Sequence, residues 1–210
     1  MAKLRILLAG FEPWKGSVNP AGAVAKGLDG RTIEGGRVVG VEVPEDFYGL
    51  PRVARSLVRE HRPDVVISLG WDYTPAVKVE KVAVNMMYAV FGDQLVPDNL
   101  GRSPRGVPVA SRGPVALRST LPVESIVSDL SAAGIPAFAS YSAGTHGCNA
   151  MMYSFLTAVR REHHGVAGHI HLPPTEGVET RFPVARMELE TERKAIEIAI
   201  GSCARSLRRG

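Results

Sequence analysis

The sequence predicts an α/β fold whose layers pack around a partly parallel sheet. Two observations carry this reading. Short apolar runs of strand length alternate with stretches of helical character along most of the chain. No internal repeat, linker or low-complexity block divides the 210 residues, so residues 1–210 are read as one domain.

The elements follow in order. LRILLAG (residues 4–10) is a short apolar strand, central in the sheet. NPAGAVAKGL follows as a helix, with Asn19 able to cap it and Pro20 suited to its first turn. VVGVEVP is a second strand, LPRVARSLVREHRP a helix, and DVVISLG a strand again. VKVEKVAVN, residues 77–85, alternates apolar and charged residues. It reads as one strand with Glu80 on the face opposite Val79. Residues 86–114 have no steady period and are rich in Gly, Pro, Asp and Arg, so they read as a long loop or flap, a length that often signals function. PVESIVSDLSAAG is helical, PAFASY strand-like, NAMMYSFLTAVRREHH a largely buried helix and GHIHLP a short strand. The last helix, roughly 188–208, spaces Ile196, Ile200, Cys203 and Leu207 by four, three and four, which explains Cys203 as core.

Composition narrows the function classes. Hydrophobic content of 45% and charged content of 22% suit a soluble globular protein. The first residues show no signal-peptide pattern, and LRILLAGF is too short to cross a bilayer. With two cysteines, Cys148 and Cys203, a disulfide framework is not expected, and a cytoplasmic setting with reduced thiols is. The net charge of +4 is mild. The arginines near 102–118 and in RSLRR are not interleaved with aromatics, so neither a nucleic-acid nor a membrane partner is expected. No G-x-G-x-x-G or G-x-x-x-x-G-K-[ST] supports a nucleotide site.

Cys148 is the residue that calls for chemistry. It lies where PAFASY passes through SAGTHG into a helix, and helix-terminal N–H groups there would stabilise a thiolate or receive an oxyanion. On pattern alone it is either a nucleophile or a buried structural cysteine. A nucleophile needs a base. His61, His163 and His164 fall at helix ends, where solvated or capping roles are ordinary. His169 and His171 share a face of GHIHLP, and His171, nearer the strand's end, could face the cysteine. Glu80, a carboxylate in an otherwise apolar strand, is the best orienting acid, against a plain pairing with Lys78 or Lys81.

These residues carry a resemblance. GFEPWKGSVNP, VEKVAVN, VPDN at 96–99, SAGTHGCNAMMY, GHIHLP and the late MELETERKAIEIAI together resemble the pyroglutamyl-peptidase I family of cysteine peptidases, in order from about residue 5 to 200. The resemblance implies a three-layer α/β/α sandwich around a mixed, largely parallel sheet. It implies removal of an N-terminal pyroglutamyl residue from peptides through a thioester, with no metal or cofactor, in a homodimer or homotetramer. Carried over by motif, Cys148 is the nucleophile, His171 the base and Glu80 the orienting acid, with Phe11 and Trp14 lining the pyroglutamate pocket.

The chain departs from the family pattern on the substrate side. GWDYTPAVKVE replaces a glycine-rich stretch with an arginine, NMMYAVFGDQLVPDN is longer than its counterpart and lacks an arginine, and Tyr141 stands for an asparagine. Trp71 and Tyr141 therefore join Phe11 and Trp14 as candidate substrate-binding residues. Two alternatives stand beside the peptidase: a weakened or non-catalytic interaction protein on the same fold, and a zinc-binding protein using His146, Cys148, His169 and His171.

Overall fold

The computed structural model describes residues 4–209. Strand β1 (Arg5–Phe11) turns Ile6 and Leu8 to one side and Leu7, Ala9 and Phe11 to the other. Its burial on both faces marks it as a central strand. Helix α1 (Pro20–Gly27) opens as its sequence predicts, the Asn19 side chain accepting the Ala21 N–H at 3.1 Å. Strands β2 (Thr32–Ile33) and β3 (Gly36–Val43), helix α2 (Leu50–His61) and strand β4 (Val65–Trp71) complete the first half.

The segment predicted as one strand over 77–85 is two. β5 (Val77–Glu80) joins the main sheet, while β6 (Val82–Val84) pairs antiparallel with β11 (Ala116–Arg118) in a separate ladder. The break falls at Lys81, whose N–H bonds the Ser140 carbonyl and whose carbonyl takes the Ser119 N–H. Both segments keep the same alternation, which is why periodicity alone does not separate them. The region read as a long loop or flap holds β7 (Met87–Tyr88), β8 (Val90–Phe91), β9 (Gln94–Leu95) and β10 (Arg105–Val107). β8 and β9 form a hairpin, and β7 pairs with β10. Pairs only two or three residues long are too short to impose a readable period.

Helix α3 (Val123–Ala132), strand β12 (Ala137–Ser140), helix α4 (Gly147–Glu162), strand β13 (Val166–Leu172) and helix α5 (Leu189–Arg209) finish the chain. α4 begins two residues earlier than NAMMYSFL suggests, which places Cys148 inside its first turn.

The main sheet has seven strands in the order β12-β5-β13-β4-β1-β3-β2. Four neighbouring pairs are parallel, and β13–β5 and β3–β2 are antiparallel. One face carries α1, α3 and α5 over a core of Ile6, Leu8, Ile67, Ile126, Ile196 and the fully buried Cys203. The other carries α2 and α4 over Leu7, Ala9, Val66, Ala54, Met151 and Phe155. This is the three-layer α/β/α sandwich expected of the chain. Among the described residues, no helix is long and apolar enough to cross a membrane.

Candidate active site

The site lies at the carboxyl ends of β4 and β13, where open α/β sheets present their ligand crevices. The reversal of direction between β13 and β5 sets His169 opposite Glu80 and His171 opposite Lys78. From there His171 reaches Glu80, its Nδ1 2.8 Å from Oε1. The pair is buried, Glu80 at 0% and His171 at 4% exposure, so the contact is shielded from water. With Glu80 as acceptor, His171 carries its proton on Nδ1 and leaves Nε2 as a lone pair.

Helix α4 brings the cysteine. Asn149, fully buried, fastens its first turn to β6: Oδ1 accepts the Val84 N–H at 2.8 Å, and Nδ2 donates to the Val84 and Met86 carbonyls at 2.9 Å each. His146, at the cap position, makes no side-chain cap, so N–H groups of the first turn stay available. Cys148 Sγ, a ring nitrogen of His171 and one of His169 lie within 4.8 Å of one another. Gly70 of β4 makes this possible, because a Cβ there would stand 2.5 Å from Sγ and 3.0 Å from His169 Nε2.

The thiol is not held as a thiolate. Burial, then the charges of Glu45, Asp72 and Glu80, push the Cys148 thiol well up, while Lys78 pulls it down. The helix-terminal stabilisation expected from sequence is outweighed in this setting. Burial also raises Asp72, but a 2.5 Å bond from Lys78 and a 2.9 Å bond from the Thr74 N–H hold it below its usual range. Lys78 Nζ lies 3.5 Å from Glu80 Oε1 as well, so Asp72, Lys78 and Glu80 form one chain of charge that ends on the His171 imidazole.

A cavity of about 380 Å³ opens in front of the sulfur. Of the four candidate substrate-binding residues, Phe11, Trp14 and Trp71 line it. Tyr141 does not: it is 72% exposed and turned to Lys81, whose Nζ is 3.3 Å from its hydroxyl. Tyr73, Phe91, Glu45, Asp72, Lys78 and Arg181 complete much of the wall without having been singled out as binding residues from sequence. Tyr73 ties three segments together, its ring 5.4 Å from Trp71, 5.9 Å from Phe91 and 4.5 Å from Phe182. Glu45 is buried, and its carboxyl is pushed up to about 8 by burial and then by Asp98 and Glu12. It fills the room at Gly147, where a Cβ would lie 2.2 Å from its Oε1. A Glu beside an Asp after a strand reads as a surface residue, and only the fold brings it to the helix start.

Of the four donors weighed for zinc, Cys148, His169 and His171 come together. His146 does not join them. Its Nε2 donates to the Val96 carbonyl at 2.8 Å, and its ring packs edge-on against Phe47.

Comparison with known proteins places this geometry in context. The family model described as pyroglutamyl peptidase matches residues 4–206. A pyrrolidone-carboxylate peptidase of Thermococcus kodakarensis is 39% identical over 202 residues, covering 94% of each chain. One from Bacillus cereus strain Q1 is 37% identical over 199 residues, covering 93% of this chain and 90% of that protein. The crystal structure of pyroglutamyl peptidase I from Bacillus amyloliquefaciens superposes with a TM-score of 0.89 at 33% identity, covering 96% of this chain and 97% of that one. The pyrrolidone carboxyl peptidase of Thermococcus litoralis gives a TM-score of 0.91 at 33% identity, covering 98% and 96%.

Proposed function

From the premise that this chain belongs to the pyroglutamyl peptidase family, we propose that it is a cysteine peptidase that removes an N-terminal pyroglutamyl residue from peptides. The observation that carries the assignment of roles is the buried His171–Glu80 contact at 2.8 Å beside Cys148, with Cys148 and His171 lining one cavity and Glu80 behind them.

In this reading the resting thiol is protonated and is activated only with substrate in place. His171 Nε2 takes the Cys148 proton as Sγ attacks the pyroglutamyl carbonyl carbon, and Glu80 steadies the imidazolium that results. N–H groups in the first turn of α4 receive the developing oxyanion. His171 then gives its proton to the departing amine, leaving a thioester, and draws a proton from water for hydrolysis. The aromatic wall of Phe11, Trp14 and Trp71 suits a neutral, flat lactam. A reducing, cytoplasmic setting and a homodimer or homotetramer belong to the same proposal.

The test is release of a fluorogenic amine from its pyroglutamyl amide by metal-free, reduced protein. Cys148→Ala should lower turnover at least about 10⁴-fold while its melting curve stays near wild type. Equal turnover in the mutant would reject Cys148 as nucleophile. No turnover by the folded wild-type protein would reject the substrate.

A further inference from the structure

Cys148 has two histidine neighbours, and the proposed reaction uses only one. His169 is wholly buried, and its Nε2 has no hydrogen-bond partner among the described residues. Buried ring nitrogens are normally satisfied, so one left bare beside the Cys148 sulfur calls for an explanation. The hydrogen bonds around the ring set its tautomer. Ser68 Oγ donates its single proton to the Gly168 carbonyl at 3.0 Å, so it accepts from His169 Nδ1 at 2.9 Å. Nδ1 thus carries the proton, and Nε2 offers a lone pair next to the sulfur, both atoms crowding the Cα of Gly70. His171 matches it, with Nδ1–H committed to Glu80.

We propose that Cys148, His169 and His171 form a zinc site, open toward the cavity, whose occupation switches the hydrolase off. Two neutral imidazoles and a thiolate are a zinc donor set, and three protein ligands leave a fourth position for water or a substrate atom. Each imidazole already has the outer partner that orients metal-bound histidines, a carboxylate on one and a hydroxyl on the other. The three donor atoms lie within 4.8 Å of one another, whereas tetrahedral zinc holds such atoms about 3.4–3.6 Å apart. Binding therefore closes these separations by up to about 1.4 Å, a movement shared among three side chains. The surroundings favour a dication, because Asp72 and Glu80 outnumber Lys78. As the Zn–S bond forms, the Cys148 proton leaves to solvent, and no oxidation or reduction is involved. The sulfur and the His171 lone pair are then both occupied, so neither attack nor proton transfer can proceed. That consequence rests on the cysteine-peptidase reading, while the site itself rests on the donor geometry.

The experiment titrates zinc into metal-free, reduced full-length protein against a chromogenic chelator, beside His169→Phe, His169→Gln and Cys148→Ala. Thermal melts establish that each variant is folded. One zinc per wild-type chain is expected, with affinity at least about 100-fold weaker in both His169 variants and lost in Cys148→Ala. Cobalt in place of zinc should give a sulfur-to-metal charge-transfer band and the visible bands of a four-coordinate ion, the former absent from Cys148→Ala. Wild-type affinity in the His169 variants would overturn the proposal, since it would mean ordinary capture by a thiol. No zinc binding by folded wild-type protein would also overturn it. Turnover of the pyroglutamyl amide is measured separately without metal. Zinc binding without turnover upholds the site and sinks the peptidase reading, and turnover without zinc binding does the reverse.

Discussion

Gly70 lacks a side chain because Cys148 Sγ and His169 Nε2 already occupy the space over its Cα. Gly70→Ala should therefore keep the fold and displace the sulfur, lowering kcat on the order of 10²-fold, as misplacements near 1 Å do. Unchanged kcat in a variant with a normal melting curve would deny that the sulfur's position matters. At this scale, legibility followed local contrast. Cys148 stood out among glycines at a strand–helix junction, Glu80 as a carboxylate in an apolar strand, and His171 at a strand end. Tyr141 looked equally conspicuous, yet its neighbour in space is Lys81 and not the cavity. Glu45 and Ser68 had no local contrast. Their roles depend on Gly147 and His169, which only the folded chain sets against them.

Helix α4 aims the cysteine, and Asn149 aims α4. Its three hydrogen bonds to the backbone of 84–86 hold the first turn against β6 from inside the core. Asn149→Ala removes all three bonds, leaving the Val84 N–H and the Met86 carbonyl without their side-chain partner while the Val84 carbonyl keeps the Met86 N–H, which costs about 2–4 kcal/mol. That corresponds to a fall of roughly 5–15 °C in melting temperature for a chain of this size. A fall of a degree or less would mean that water replaces the side chain. The major strands and all five helices were readable because each is long enough to show a period, a cap or an apolar run. The two-residue strands were not, being too short to show a period, and neither was the break at Lys81, which pairing of β6 with the distant β11 defines.

Across the whole molecule, buried carboxyls tilt stability with pH. Glu192 of α5 is 0% exposed, neither carboxylate oxygen has a hydrogen-bond partner among the described residues, and burial raises its carboxyl from 4.5 to about 8. Between those values the folded chain holds a proton that the unfolded chain has released, so stability falls as pH rises from about 4.5 to 8. Glu45 acts in the same direction. Glu192→Gln should raise the melting temperature at pH 8, change it little at pH 4.5, and reduce the slope without abolishing it. An unchanged slope would show that Glu192 is solvated or paired. The layered fold and its sheet were evident from alternation along the chain. The cavity was less so, because its walls come from the ends of β1 and β4, the 86–114 region and the segment after β13. Those walls hold both of the protein's tryptophans, Trp14 bonded through Nε1 to the Pro97 carbonyl and Trp71 stacked edgewise on Tyr73. The intrinsic fluorescence of the chain is therefore an optical gauge of this one chamber, able to follow its filling and emptying without any attached dye.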